Sequence, residues 1–336
     1  MIFLIQQTLI YAVPLMVIAL AGVFAERGGI VNLALEGIMI FGAFWGVLFV
    51  NLMQKSGTFA RENAMSLMCL AMVVSAASGI AFSFLLSVAS IKFCSNQTVT
   101  GTALNMLSPS LVLFLINIIA NQNVISMAEG DASGWFMIRK KALGLDPQTD
   151  YGFFLETFFF KNYPADYICI AVFILLSVML YKTRFGLGLR ASGENPHAAD
   201  FLGINVVKMR YIGTGISGAL AAMGGFVFTL TTANCTATGD VAGFGFLALA
   251  VMIFGNWKPL PIALTSVLFG LFKCISAAYS TLDINGDGRF MLAEAGISTN
   301  FYRMLPYIIT LVVLAFTSKN SRAPRAAGTP YDKSKR

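Results

Sequence analysis

Carboxylates and amides set within apolar sequence are the residues most able to do chemistry in this chain. Glu36 lies in the apolar run 34–53, with Asn32 four positions earlier on the same helical face and Glu26 and Arg27 just before. A carboxylate left in lipid is costly, so it marks a functional site by default; the structural alternative is a bond across helices or a pair with Arg27. Glu26 and Arg27 themselves read as an interfacial ion pair. A second concentration of polar groups, Asn96, Gln97, Thr98, Thr100, Thr102 and Asn105, suits an uncharged, hydroxyl-rich solute. Taken singly, each reads better as a bond between neighbouring helices. Asn32, Glu36, Asn96, Gln97, Thr100 and Asn105 are the candidate residues of a solute path.

Other patterns are weighed against their surroundings. Asp283, Asn285, Asp287, Gly288 and Glu294 satisfy the spacing of a calcium-binding loop, although apolar spans flank it where amphipathic helices should; the alternative is a solvated Asp/Gly turn. Gly213, Gly215 and Gly218 match a dinucleotide fingerprint, but no strand precedes them and small residues at this spacing suit close helix packing. His197 is the sole histidine and reads as a surface residue. Cys69, Cys94, Cys169, Cys235 and Cys274 form no C-x-x-C pair and read as packed, inert thiols. No cluster of acids, histidines and cysteines suggests catalysis, and there is no G-x-x-x-x-G-K-[ST] phosphate loop. The chain is not expected to be an enzyme or to hold a cofactor of its own, calcium in the 283–294 loop excepted.

The elements that must position these residues are membrane helices. Of the 336 residues, 57% are apolar and 12% charged, with a mean hydropathy of +0.74, a composition that needs lipid as solvent. A bilayer core of about 30 Å demands about 20 apolar residues per helix. Such runs occur near 4–24, 34–53, 65–90, 99–120, 164–181, 206–232, 242–256, 259–280 and 303–317. The expected fold is therefore an all-α polytopic bundle of about 8–10 spans. The first run lacks a positive n-region and cleavage site and reads as a retained helix. Pro14, Pro109 and the glycines at 28–29 and 243–245 are candidate breaks, tolerable where freed backbone is buried in protein. The stretch 242–256 is short for a span. Lys273 lies in the outer part of its run, positioned to snorkel to the interface. Phe153, Phe154, Phe158, Phe159, Phe160 and Tyr163 suit the outer boundary.

Lys182, Arg184, Arg190, Lys208 and Arg210 gather after the fifth run, and Lys319, Arg322, Arg325, Lys333, Lys335 and Arg336 in the tail. By the positive-inside rule both segments face the cytoplasm, which puts the N-terminus outside. The net charge of +7 is thus a topology signal; nucleic-acid binding, which needs a solvated basic face, is not expected. Within the loop 182–210, Asn195 suits an N-cap, Pro196 the first helical position and Gly203 the residue past the end. The two turns 196–202 would show Ala198, Ala199, Phe201 and Leu202 as a small apolar face, for a partner protein or for headgroups.

The string GLRASGENPHAADFLGINV resembles the cytoplasmic coupling loop of permease subunits of ATP-binding-cassette importers, where an Ala-Ala pair and a following Gly mark the helix that docks on the ATPase. Glu194 does not directly precede the Ala pair, as it does in other importer classes; the GENP form is similar to the sugar and nucleoside branch. AERGGIVNLALEGIMIFGAFWG, SNQTVTGTALNML and ALAVMIFGNWKPLPIALTSVLFG extend the resemblance from about Pro14 to Thr317. The resemblance implies a type II-like permease domain over 1–320, a basic cytoplasmic tail over 321–336, and coupling residues Gly193, Glu194, Asn195, Pro196, Ala198, Ala199 and Gly203. It further implies ATPase subunits, a second and non-identical permease, an extracytoplasmic binding lipoprotein and a place in the bacterial inner membrane. The implied solutes are nucleosides, purine nucleosides foremost, with ribose- or galactose-type sugars as the alternative. A stand-alone secondary carrier is the rival, but it would call for midplane ion-coupling acids in two related halves.

Overall fold

The computed structural model describes residues 2–57, 63–127, 133–138, 140, 146, 152–160, 162–279, 298–317 and 322–331. Their helices in order are α1 (Ile2–Arg27), α2 (Leu35–Lys55), α3 (Ala64–Ser87), α4 (Gln97–Ala120), α5 (Ser133–Phe136), α6 (Phe153–Phe158), α7 (Pro164–Lys182), α8 (Arg184–Glu194), α9 (Pro196–Phe201), α10 (Val206–Thr231), α11 (Phe244–Phe254), α12 (Pro259–Ala278) and α13 (Thr299–Thr317). A π-helical turn, Val88–Lys92, extends α3. Among the described residues, seven helices are long and apolar enough to cross a membrane: α1, α2, α3 with its extension, α4, α7, α10 and α12. α13 covers the last expected span. α11 has 11 residues, about 16 Å at 1.5 Å per residue, which is half a bilayer core. The protein is an all-α polytopic membrane bundle.

α1 runs through the centre, packed on α10, α12 and α11, while α10 lies against α2 and α3. Leu15, Val17, Ile18, Leu20, Val23 and Phe24 of α1 are wholly buried. The outer helices turn apolar side chains outward, such as Ile118 of α4, Ile174 of α7 and Leu264 of α12. That arrangement is stable only in lipid. The ends of the bundle differ in charge. Arg27, Arg184, Lys208 and Arg322 mark a basic end, which also carries α8 and α9; a two-residue antiparallel ladder closes the other end. There Ile125 pairs with Ala237 and Ser126 with Thr236, and Asn51 donates to the Ser126 carbonyl at 2.6 Å.

Of the positions expected to break or kink helices, the two prolines do not break theirs. α1 continues through Pro14 and α4 through Pro109. Proline's fixed φ is helical, and its local cost is small against the burial and neighbouring contacts that hold these helices. The glycine-rich segments do break the chain, at 28–34 and before residue 244. The cysteines divide: Cys169, Cys235 and Cys274 are buried, as expected of packed thiols, whereas Cys69 and Cys94 are exposed; none of the five is in a disulfide. Phe160 and Tyr163 are core residues, and only Phe153, Phe154 and Phe159 of the expected boundary aromatics are strongly exposed.

The α3–α10 contact depends on small residues. A side chain at Gly79 would strike the Gly218 carbonyl and Ala222, and Ser75 donates its hydroxyl toward the carbonyls of Gly42 (2.9 Å) and Ala222 (2.8 Å). The glycine pattern at 213–218 is thus a packing device in part: Gly218 meets α3, Gly213 approaches the Phe24 carbonyl, and Gly215 faces open space. Gly79→Leu should separate the two helices and lower the melting temperature of the detergent-solubilised protein by several degrees, an overpacking cost of about 1–3 kcal/mol, whereas Gly215→Leu should leave it within about one degree. Thermal unfolding of both variants checks this.

Candidate functional site

Broken helices inside a membrane leave backbone groups that water cannot reach, and the polar residues singled out in the sequence converge on them. α1 ends in a tight turn, with Gly29 N–H donating to the Glu26 carbonyl (2.9 Å) and Ile30 N–H to the Ala25 carbonyl (3.0 Å). Beyond it the chain runs irregularly to α2. Val31 N–H donates to Gln97 Oε1 at 2.7 Å, and Ala34 N–H to Asn32 Oδ1 at 3.1 Å. Asn105 serves two groups, accepting from Gly37 N–H at 2.8 Å and donating to the Leu33 carbonyl at 2.6 Å. Asn32 Nδ2 reaches Ser217 on α10 at 2.9 Å. Asn96 N-caps α4, accepting from Thr98 and Val99, and Thr100 donates to the Asn96 carbonyl at 3.0 Å. These contacts give five of the six candidate solute-path residues a structural task.

Glu36 is the sixth, and it joins the two breaks. Its carboxylate accepts from the N–H groups of Gly243 (3.0 Å), Gly245 (2.6 Å) and Phe246 (3.3 Å), so it caps the N-terminus of the half-helix α11. Free N–H groups and the helix dipole make such an end favourable for an anion, so the charge is met without a cation in direct contact. Geometry reinforces the bond: a side chain at Gly245 would lie 2.5 Å from the Glu36 backbone. The approach to α11 is strained, because Ala242 and Gly243 both adopt left-handed conformations (φ 53° and 72°), which for alanine costs about 1–3 kcal/mol. Asp240 Oδ1 accepts from Ala242 N–H at 2.9 Å and steadies that turn. Of the two structural alternatives for Glu36, the bond across helices forms and the pair with Arg27 does not; the expected Glu26–Arg27 pair is absent as well. Glu26 is buried and accepts from the Trp257 indole at 2.6 Å, while Arg27 reaches Glu194 at 3.0 Å.

Lys273 does not snorkel outward. Its ammonium lies 3.4 Å from the Ala242 carbonyl, 5.0 Å from the Phe244 ring centre and 5.7 Å from that of Tyr307. Asp240, Trp257 and Tyr307 lie outside the candidate residues drawn from the sequence. Asp240 carried a signal, as an acid within a largely apolar stretch; Trp257 and Tyr307 had none apart from their neighbours.

At the basic end, Asn195 caps α9 through Ala198 N–H (3.1 Å), Pro196 opens it, and Gly203 follows its end at φ +82° with its N–H on the Asp200 carbonyl (2.9 Å). The apolar face differs from the expected one. Ala199 turns inward at 2% exposure, and Ala198 is exposed beside Phe201 and Leu202, which show 74% and 81% of their surface. At about 100° per residue, Ala199 lies at the edge of the arc that Ala198, Phe201 and Leu202 share, and that edge is the one turned toward the bundle. α8, which the sequence reading did not separate from the loop, lies between α7 and α9. Gly193 at its end approaches the Arg27 carbonyl too closely for a side chain, and the neighbouring Glu194 makes the ion pair with Arg27. That pair is half exposed on the Glu194 side and contributes at most about 1 kcal/mol; its effect is positional.

The chain after α13 packs back onto this end. Ala326 N–H donates to the Gly193 carbonyl (2.9 Å), Arg210 to the Thr329 carbonyl (3.0 Å) and Arg322 N–H to Asn256 (2.8 Å); Tyr331 stands 5.4 Å from the His197 ring. Among the described residues no group of three or more His, Cys, Asp or Glu side chains could hold a metal. The calcium-like loop, Asp283, Asn285, Asp287 and Glu294, lies outside the described residues.

Glu36→Ala should leave three N–H groups at the start of α11 without their acceptor inside the bundle, lowering stability by roughly 2–5 kcal/mol. Glu36→Gln, which keeps one acceptor oxygen, should fall between that variant and the parent. Melting curves in detergent would order the three proteins; a Glu36→Ala variant as stable as the parent contradicts the capping role.

Residues 4–314 match the family described as branched-chain amino acid transport system / permease component. The chain is 37% identical to the guanosine ABC transporter permease protein NupQ of Bacillus subtilis (strain 168), covering 99% of this chain and 97% of that one. It is 38% identical to the nucleoside ABC transporter permease protein NupC of Lactococcus lactis subsp. cremoris (strain MG1363), over 99% and 97% respectively. A second Bacillus subtilis permease for guanosine, NupP, is 26% identical over 81% of this chain and 73% of its own. No solved structure matches. A broken-helix bundle with an exposed capped helix at its basic end, matched along nearly its whole length, belongs to the branched-chain amino acid transport system permease family and is a multi-pass membrane transport component.

Proposed function

We propose that this chain is a permease subunit of an ATP-binding-cassette importer that carries nucleosides, purine nucleosides foremost, across the bacterial cytoplasmic membrane. ATP is bound and hydrolysed on separate subunits, and an extracytoplasmic lipoprotein delivers the solute. The second permease is a different chain, a reading supported by the two unlike guanosine permeases, NupQ and NupP, of one organism. The observation that carries the mechanism is the two-sided build of α9, whose Phe201 and Leu202 stand free while Ala199 and the Glu194–Arg27 pair bind its base to the bundle.

That build gives a mechanical line of contiguous contacts. A push on the tip moves α8 and α9 as a unit, because Asn195 caps α9 while its own N–H bonds the Ala191 carbonyl of α8, and the Gly193 approach fixes α8 to the end of α1. The end of α1 leads into the 28–34 segment, tied by side chains to α4 and α10. α2 begins there and carries Glu36, which holds α11. Closure of the ATPases thus reaches the midplane through a few bonds and no long lever.

Phe201→Asp with Leu202→Asp should leave the permease as stable as the parent, since both side chains are free. Nucleoside uptake in proteoliposomes should fall at least about tenfold, with the ATPase lost on purification or no longer stimulated by solute. Ala199→Asp is the contrast and should destabilise the permease itself. In the parent complex with its binding protein, nucleosides should stimulate ATP hydrolysis; stimulation by ribose alone moves the solute to sugars, and no co-purifying ATPase contradicts the proposal.

A further inference from the structure

The face formed by α11, α12, α13 and the turn before α11 carries charge at a depth where lipid would exclude it. Lys273 lies 14 residues along α12 from Pro259, about 21 Å from the basic end, and α11 starts about 15 Å from that end. Both positions fall inside a hydrocarbon core of about 30 Å. Yet Asp240 is exposed there, Tyr307 and Phe246 show 47% and 53% of their surface, and Lys273 is only partly covered. Charged groups at such depth face a bundle interior or a water-filled cavity.

The groups around the turn are not exhausted by their internal bonds. One Asp240 oxygen holds Ala242 N–H and the side chain is otherwise open to the face. The Lys273 ammonium spends one N–H on a long bond to the Ala242 carbonyl and rests between the Phe244 and Tyr307 rings. The Tyr307 hydroxyl lies 3.2 Å from where a side chain on Gly243 would begin, so glycine keeps that space open. An acceptor, a donor and aromatic rings thus meet on one turn. Counting Glu36, the local charge is one negative in excess, which suits a neutral, hydroxyl-bearing ring compound and disfavours phosphate.

We propose that Asp240, Lys273 and Tyr307 form the solute subsite of this permease, with Asp240 accepting from ribose hydroxyls, Lys273 donating to a ring or base acceptor, and the Tyr307 ring stacking on the base. The inference rests on the nucleoside reading above and gives it residues. Glu36 holds the turn in place and is a positioning residue for the subsite. The candidates chosen from the sequence, Gln97 and Asn105 among them, hold the backbone of residues 31–37 and take no part in this face.

The test is equilibrium dialysis of radiolabelled guanosine and 2′,3′-dideoxyguanosine against the purified permease pair with its ATPases, without the binding protein. Guanosine should bind the parent, and Asp240→Asn should weaken it at least about tenfold while changing the dideoxy analogue less than about twofold, because only guanosine offers the 2′- and 3′-hydroxyls. Tyr307→Phe should retain both and Tyr307→Leu weaken both. Equal loss of the two ligands in Asp240→Asn, no loss of either, or no guanosine binding by the parent overturns the subsite. Because Asp240→Asn could disturb the turn, Asp240→Glu supplies a second variant: recovery of guanosine binding above Asp240→Asn supports the carboxylate role, and none contradicts it. Guanosine import by the complete parent transporter is measured separately. Import without binding at this face refutes the subsite alone; import of ribose but no nucleoside refutes the nucleoside reading.

Discussion

Everything around Glu36 depends on how the backbone groups of two irregular segments, 28–34 and the turn before α11, are satisfied where water is scarce. An unpaired N–H or C=O in hydrocarbon is so unfavourable that irregular chain survives there only inside protein. Here the partners are side chains from other helices: Gln97 and Asn105 for the segment after α1, and Glu36 for the start of α11. Because Glu36 belongs to the helix that begins at one break and caps the helix that begins at the other, neither break can rearrange without the other.

That arrangement explains why a charge can be kept in the bundle. A buried ion pair would bring a second desolvated ion with it, whereas the end of a half-helix offers dipoles and donors already oriented. The cation that does lie nearby, Lys273, sits over aromatic rings on the exposed side, clear of a direct bond to Glu36. At the basic end, the same logic of fixed short connections applies. α9 has a free tip and an anchored base, and the returning chain after α13 bonds to Gly193 and Arg210, adding a second clasp on the elements that must move together.

Much of the fold was legible in the sequence. Nine apolar runs became helices because length and hydropathy are what a bilayer selects, and the Asn195, Pro196 and Gly203 signals act locally, so they needed no tertiary knowledge. The partners of Glu36 and Asn105 were not legible. Their tasks depend on how the chain runs from α1 to α2 and which loop folds back between α10 and α11, and both are decided by packing between distant segments, 68 and 72 residues apart for Asn105 and 209 for the Glu36–Gly245 bond. Pro14 misled because a proline in a well-packed helix need not break it. Glu26 and Arg27, adjacent in sequence, looked like a pair, but neighbours on a helix point about 100° apart and each found a partner on another element.

The central claim is that the two breaks move as one. Hydrogen–deuterium exchange on the proposed transporter assembly, with and without a trapped ATP state, measures it directly at the amides of 28–34 and 240–246. The account predicts that protection in the two segments changes together while the buried amides of α1 stay unchanged. A change confined to one segment would contradict it.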